Sequence, residues 1–85
     1  MKNILFSLHN CPKCTQIKEL FKDRKDIDVE FITLPRDINN WNKKHHKIAH
    51  KHNVYDDLTR NAPILCANEK KIIGYLQIRR WINKH

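Results

Sequence analysis

The sequence has little glycine, proline and cysteine, and each shortage argues against a class of protein. One glycine and three prolines among 85 residues, with 40% apolar residues, argue against a low-complexity or disordered chain. Three cysteines are too few for the disulfide framework of a small secreted domain. No apolar run approaches the roughly 18 residues of a membrane span, and no signal-peptide pattern follows Met1. We therefore expect one domain, residues 1–85, that is cytoplasmic, monomeric and without membrane contact.

Acidic residues are also scarce, with 9 Asp and Glu against 17 Lys and Arg, for a formal net charge of +8. The most basic stretch contains no acid and holds four lysines and four histidines: Lys43, Lys44, Lys47, Lys51, His45, His46, His50 and His52. Such a charge favours acidic partners or nucleic acid, although a solvated helix face is the plainer interpretation. We expect protein partners, acidic ones among them, and we do not expect nucleic acid.

The hydrophobic pattern predicts the element order β-α-β-α-β-β-α. The predicted strands are 3–8, 29–34, 63–67 and 71–73, and the predicted helices are 12 to about 24 or 25, about 38–52, and 75–84. The first two strands are joined through a helix and should be parallel, whereas the last two should form an antiparallel hairpin. This order predicts an α/β protein with a four-stranded mixed sheet and helices on both faces.

Helix ends and helix faces follow from the same pattern. Asp37 is the expected N-cap of the second helix, and residues 55–61 read as a polar connection that can include a helical turn. In the first helix, Lys18 should lie in solvent. In the last helix, the expected core positions are Leu76, Ile78, Trp81 and Ile82.

The pattern Cys-Pro-Lys-Cys stands at residues 11–14, directly after the first predicted strand. Pro12 fits the first turn of a helix, so Cys11 should lie at the helix N-terminus with Cys14 one turn inside. Unpaired backbone N–H groups, the helix dipole and the charge of Lys13 then favour the thiolate, which lowers the pKa of the Cys11 thiol. We expect Cys11 to attack disulfides and the more buried Cys14 to resolve the mixed disulfide.

Two other interpretations of the cysteine pair stay open. A structural zinc site needs two further ligands, and the spacing of His46 and His50 fits that requirement. These histidines lie about 30 residues beyond Cys14, which is longer than the usual 12–15 for such a site. The strand order should also place their helix away from the cysteines. The third interpretation is an inert pair.

Three short stretches resemble the glutaredoxin group of the thioredoxin fold. They are Cys11-Pro12-Lys13-Cys14, Asn61-Ala62-Pro63 and Ile72-Ile73-Gly74-Tyr75. The resemblance covers nearly the whole chain and implies a thioredoxin-like fold and a small thiol-disulfide oxidoreductase. It also implies a cis Ala62–Pro63 peptide bond beside the redox cysteines, with the backbone of Ala62 pairing with an extended substrate. The alternative is an ordinary trans proline that opens an edge strand.

The same resemblance implies which residues bind substrate. Lys13 and Arg60 would bind the glycyl carboxylate of glutathione, and Gly74, Tyr75 and Gln77 would lie along the groove for its other end. Glutathione would be a co-substrate, with no tightly bound cofactor and no metal. A reductase of the thioredoxin type is the alternative source of electrons.

The chain departs from the usual family pattern at the groove. Ile73 replaces the first glycine of a Gly-Gly pair, and its branched side chain would narrow the glutathione groove. Asn61-Ala62 replaces Thr-Val before the proline, and Leu8-His9 stands where a basic residue is usual. These positions put the binding of glutathione in question, and they leave the cysteine chemistry in place.

The remaining observations allow a second function of another class. A basic adaptor on a thioredoxin-like scaffold would bind nucleic acid or an acidic protein, and its cysteines would have no redox function. The intact Cys-Pro-Lys-Cys pattern argues against it.

We expect Cys66, on the third strand, to be a small buried core residue, with a third redox thiol as the alternative.

Overall fold

The computed structural model of the protein describes residues 3–84. Its strands are β1 (Asn3–Leu8), β2 (Val29–Leu34), β3 (Ile64–Ala67) and β4 (Lys70–Ile73). Its helices are α1 (Pro12–Asp23), α2 (Lys43–Lys51), α3 (Tyr55–Arg60) and α4 (Tyr75–Lys84). The strands form one sheet in the order β2-β1-β3-β4, in which β1 and β2 are parallel and β3 is antiparallel to both neighbours. The predicted mixed sheet and strand directions are confirmed.

The two faces of the sheet each bury an apolar cluster, because successive strand residues point to opposite sides. Leu5 faces the cluster under α1 and α4, and the next residue, Phe6, faces the cluster under the segment 38–60. The first cluster holds Leu5, Ile17, Phe21, Leu65, Ala67, Ile78 and Ile82. The second holds Phe6, Leu34, Trp41, Ala49, Val54, Leu58 and Ile64. Since each such side chain contributes about 1.5–3 kcal/mol when fully buried, these two clusters are the main source of stability.

The predicted second helix is wrong in its first part, because the chain leaves the helical path at Trp41. Asp37 does act as an N-cap, with its carboxylate accepting the backbone N–H of Asn39 at 3.0 Å, but it caps only a 3₁₀ turn, Ile38–Asn40. Trp41 is extended, with φ −73° and ψ 135°, and its indole Nε1 donates to the carbonyl of Pro35 at 2.7 Å. The burial of this indole and its hydrogen bond stabilise the extended conformation more than a continued helix would.

A second cap then begins α2. The side chain of Asn42 accepts the backbone N–H of His45 at 2.9 Å, and Nδ1 of His45 accepts the backbone N–H of Asn42 at 3.1 Å. This capping box uses His45 as the third residue of the helix. The helix ends before Asn53, which takes the left-handed conformation at φ 56°, a common conformation just after a helix C-terminus.

Three further expectations are corrected by the packing. Leu76, an expected core residue of α4, is 64% exposed, whereas Ile78 and Ile82 are buried. Residues 55–60 form α3, which is longer than the single helical turn allowed for in a polar connection, and α3 buries Leu58. Lys18, expected in solvent, is half-buried and bonded to β2. No helix within residues 3–84 is long and apolar enough to cross a membrane.

Candidate active site

The N-terminus of α1 presents the cysteine pair. Cys11 is the N-cap residue, and its Sγ accepts the backbone N–H of Cys14 at 3.2 Å. Pro12 occupies the first turn, where its missing N–H costs no hydrogen bond. Asn10 takes the left-handed conformation at φ 54°, which turns the chain from β1 into the helix. The predicted position of Cys11 at the helix tip is therefore confirmed.

Cys11 and Cys14 are joined by a disulfide, with their Cα atoms 5.2 Å apart. Cys11 is half-buried, while Cys14 is only 1% exposed and is covered by the protein. An incoming thiolate therefore meets the sulfur of Cys11 first. When that bond is exchanged, the sulfur of Cys14 is the leaving group, and it remains buried one turn inside the helix.

A groove beside Cys11 collects positive charge. Lys13 and Arg60, two of the predicted substrate residues, line it together with Ala62 and with Arg36. The one acid that lines it is Asp37, whose carboxylate is already engaged as the N-cap of the 3₁₀ turn. Three cations with one committed carboxylate give this groove an affinity for anionic groups.

Sequence reasoning missed Arg36 in this groove. Its Nη1 donates to the carbonyl of Asn10 at 2.9 Å, so it also braces the turn that precedes Cys11. The sequence could have indicated this position, because Arg36 follows the C-terminal end of β2 and the parallel strands β1 and β2 end at the same edge of the sheet. Groups placed just beyond the carboxyl ends of neighbouring parallel strands are the expected lining of a site.

The loop before β3 completes this side of the groove. The Ala62–Pro63 peptide bond is cis, as the resemblance implies, and Pro63 is fully buried. The carbonyl of Pro63 accepts the backbone N–H of Gly74 at 3.0 Å. Gly74 has a φ of 90°, a backbone conformation that residues with a side chain rarely adopt. This conformation joins the loop to the start of α4.

The other predicted substrate residues lie elsewhere. Gly74, Tyr75 and Gln77 do not line the groove beside Cys11. Tyr75 lines a second depression between α1 and α4, with Thr15 and Arg79 among its neighbours there, and Gln77 is exposed. The structure thus gathers Lys13, Arg60 and Ala62 around Cys11. That Gly74, Tyr75 and Gln77 bind the other end of glutathione stays a prediction.

The histidines of the zinc interpretation belong to an aromatic cluster. His50 stacks on Tyr55 with ring centroids 4.6 Å apart, and His46 packs against Trp41 at 5.4 Å. Among residues 3–84, no three His, Cys, Asp or Glu side chains gather where they could hold a metal ion. The structure therefore does not bring these histidines together with the cysteine pair.

Cys66 occupies a different environment on β3. It is half-buried against the second apolar cluster, so it is less enclosed than we expected. Burial raises the pKa of its thiol; the charge of Lys71 lowers it and the charge of Asp57 raises it further. Lys71 and Asp57 form an ion pair at 2.7 Å.

No protein-family model and no curated protein sequence matches the chain. Among solved structures, reduced Escherichia coli glutaredoxin is similar, with a TM-score of 0.53 and 17% sequence identity over 100% of this chain and 96% of that one. The likeness establishes the fold alone. The chain thus has a glutaredoxin-like thioredoxin fold, and it carries a Cys-x-x-Cys disulfide at the N-terminus of its first helix. The intact cysteine pair does not favour the basic adaptor.

Proposed function

We propose that the protein reduces protein disulfides, or mixed disulfides with glutathione, through its Cys11–Cys14 dithiol. The observation that carries the proposal is the position of Cys11 as N-cap of α1, where its sulfur accepts the backbone N–H of Cys14. A sulfur that accepts this hydrogen bond at the positive end of a helix is favoured as thiolate, the form that attacks disulfides.

The reaction begins with the reduced protein. The Cys11 thiolate attacks one sulfur of a substrate disulfide, and the substrate's other sulfur leaves as a thiolate that takes a proton from water. Cys14, deprotonated, then attacks the Cys11 sulfur of this mixed disulfide. The second substrate thiol is released, and the Cys11–Cys14 disulfide forms. Two thiolates from glutathione, or a dithiol reductase, return the electrons and restore the reduced pair.

Substrates of this groove carry negative charge. Lys13, Arg36 and Arg60 line it beside Cys11, and the carboxylate of Asp37 is held by the backbone. Glutathione has two carboxylates, and an acidic protein segment has several, so both fit this lining. Ala62, which lines the same groove, offers its backbone to an extended segment of the substrate.

The decisive experiment substitutes each cysteine in turn and measures reduction of a glutathionylated peptide. Cys11→Ser should reduce turnover to the uncatalysed background, because no thiolate remains to attack. Cys14→Ser should accumulate a mixed disulfide on Cys11, visible as one added glutathione in the mass spectrum. Cys66→Ser is the matched control and should react at the wild-type rate. Turnover that survives Cys11→Ser would show that the proposal is wrong.

The source of electrons is decided separately. The wild-type protein is supplied either with glutathione and glutathione reductase or with thioredoxin reductase, and NADPH consumption is followed. A basic groove that binds carboxylates should favour the glutathione system.

A further inference from the structure

A short chain of polar groups lies under α1, where the sheet is otherwise apolar. The hydroxyl of Ser7 on β1 lies 3.0 Å from the hydroxyl of Thr33 on β2, its direct neighbour in the parallel ladder. The ammonium group of Lys18 donates to the same Thr33 hydroxyl at 2.8 Å. Ser7 is 0% exposed. These polar groups add no apolar burial, so an explanation other than hydrophobic stabilisation is needed for their position.

The donors and acceptors give this chain a direction. An ammonium group only donates, so Lys18 donates to the Thr33 oxygen. Either hydroxyl can donate in the contact between Thr33 and Ser7. When Thr33 donates, the hydroxyl hydrogen of Ser7 is available to a further acceptor. Within residues 3–84, no carboxylate forms an ion pair with Lys18, so its positive charge is not neutralised.

Cys14 lies on the same side of α1 as this chain. Lys18 follows Cys14 by four residues, which makes them neighbours on one helix face, and helical side chains lean toward the helix N-terminus. Ser7 points to the α1 face of the sheet, as Leu5 does, because they are two residues apart on β1. Cys14, although 1% exposed, belongs to neither apolar cluster.

We propose that Lys18, through Thr33 and Ser7, is a positioning residue that stabilises the thiolate of the resolving Cys14. The inference rests on the function proposed above. When a glutathione thiolate attacks Cys11, the Cys11–Cys14 bond breaks and its electron pair leaves with the sulfur of Cys14. That anion forms in a site closed to water, where an uncompensated charge is costly. The Lys18 charge compensates it, as does the Ser7 hydroxyl in the arrangement in which Thr33 donates to Ser7, and both favour the deprotonated Cys14 that makes the resolving attack.

The test titrates Cys14 without turnover. In the double variant Cys11→Ser, Cys66→Ala, Cys14 is the only cysteine, and its ionisation is followed by the ultraviolet absorbance of the thiolate. Adding Lys18→Met should move the midpoint up by about one pH unit, a roughly tenfold loss of thiolate at a given pH, because a nearby opposite charge is removed. Lys18→Arg, which keeps the charge, should restore most of this loss.

Three further variants test whether the shift depends on the hydrogen bonds from Lys18 through Thr33 to Ser7. Thr33→Val removes the linking hydroxyl and should raise the midpoint, whereas Thr33→Ser keeps the hydroxyl and should not. Lys22→Met removes an exposed lysine of the same helix and should leave the midpoint in place. An unchanged midpoint in Lys18→Met, or an equal shift in Lys22→Met, would overturn the inference. Because this titration involves no turnover, its result stands apart from the fate of the proposed function, which the Cys11→Ser assay decides.

Discussion

Cys11 and Cys66 are both half-buried, yet their surroundings are opposite. Cys11 caps the N-terminus of α1, and its sulfur accepts the backbone N–H of Cys14 at 3.2 Å. Cys66 lies in β3, between β1 and β4, in a ladder where backbone groups are paired with neighbouring strands, and burial raises the pKa of its thiol. Because the two cysteines are similarly exposed, we expect a difference in their reactivity to come from the groups around each sulfur. What differs is whether unpaired N–H groups are directed at the sulfur.

The largest effect expected from this difference is in alkylation. In the fully reduced protein at neutral pH, Cys11 should react with iodoacetamide at least about tenfold faster than Cys66, because a cysteine at a helix N-terminus is far more ionised. The measurement is a time course of labelling of the two peptides by mass spectrometry. The chain unfolded in urea is the control, and there both cysteines should react alike. Similar rates in the folded protein would refute the comparison.

A smaller effect is expected at the ion pair beside Cys66. The charge of Asp57 raises the pKa of the Cys66 thiol and the charge of Lys71 lowers it. Asp57→Asn should therefore speed alkylation of Cys66, and Lys71→Met should slow it. Each change should be roughly twofold to fivefold, because both side chains are partly exposed and screened.

The two variants of this pair control each other. Both break the same ion pair, so any loss of local stability is common to them, and only the sign of the remaining charge differs. Changes in the same direction for both variants would mean that local opening, and not the electrostatic field, controls access to Cys66. Labelling of Cys11 should be unaffected in either variant.

The sequence predicted the sheet well because its signals are local. Each strand is a short apolar run, and the boundaries of β1 and β2 coincide with the predicted ones. The placement of Cys11 followed from Pro12 in the same way, since a proline after a strand marks the first turn of a helix.

What the sequence could not predict depends on contacts across the fold. The break at Trp41 requires knowing that its indole reaches the Pro35 carbonyl, and the periodicity of the segment gave no sign of it. Lys18 falls on the solvent side of a simple helical wheel, yet its long side chain reaches Thr33. Leu76 shows the converse, because an apolar residue at the expected spacing stays exposed when no element covers it.

The smallest effect expected from the comparison is on stability at high pH. Since the folded protein raises the pKa of the Cys66 thiol above its ordinary value of 9.0, the unfolded chain loses that proton first as the pH rises. The stability from the neutral thiol is thus fully present below about pH 9 and is lost as the pH rises toward the folded pKa. Urea unfolding of the oxidised protein, in which Cys11 and Cys14 cannot titrate, isolates Cys66 among the cysteines. The free energy of unfolding should fall more steeply above pH 9 in the wild type than in Cys66→Ala, and parallel curves would show that burial does not hold this thiol neutral.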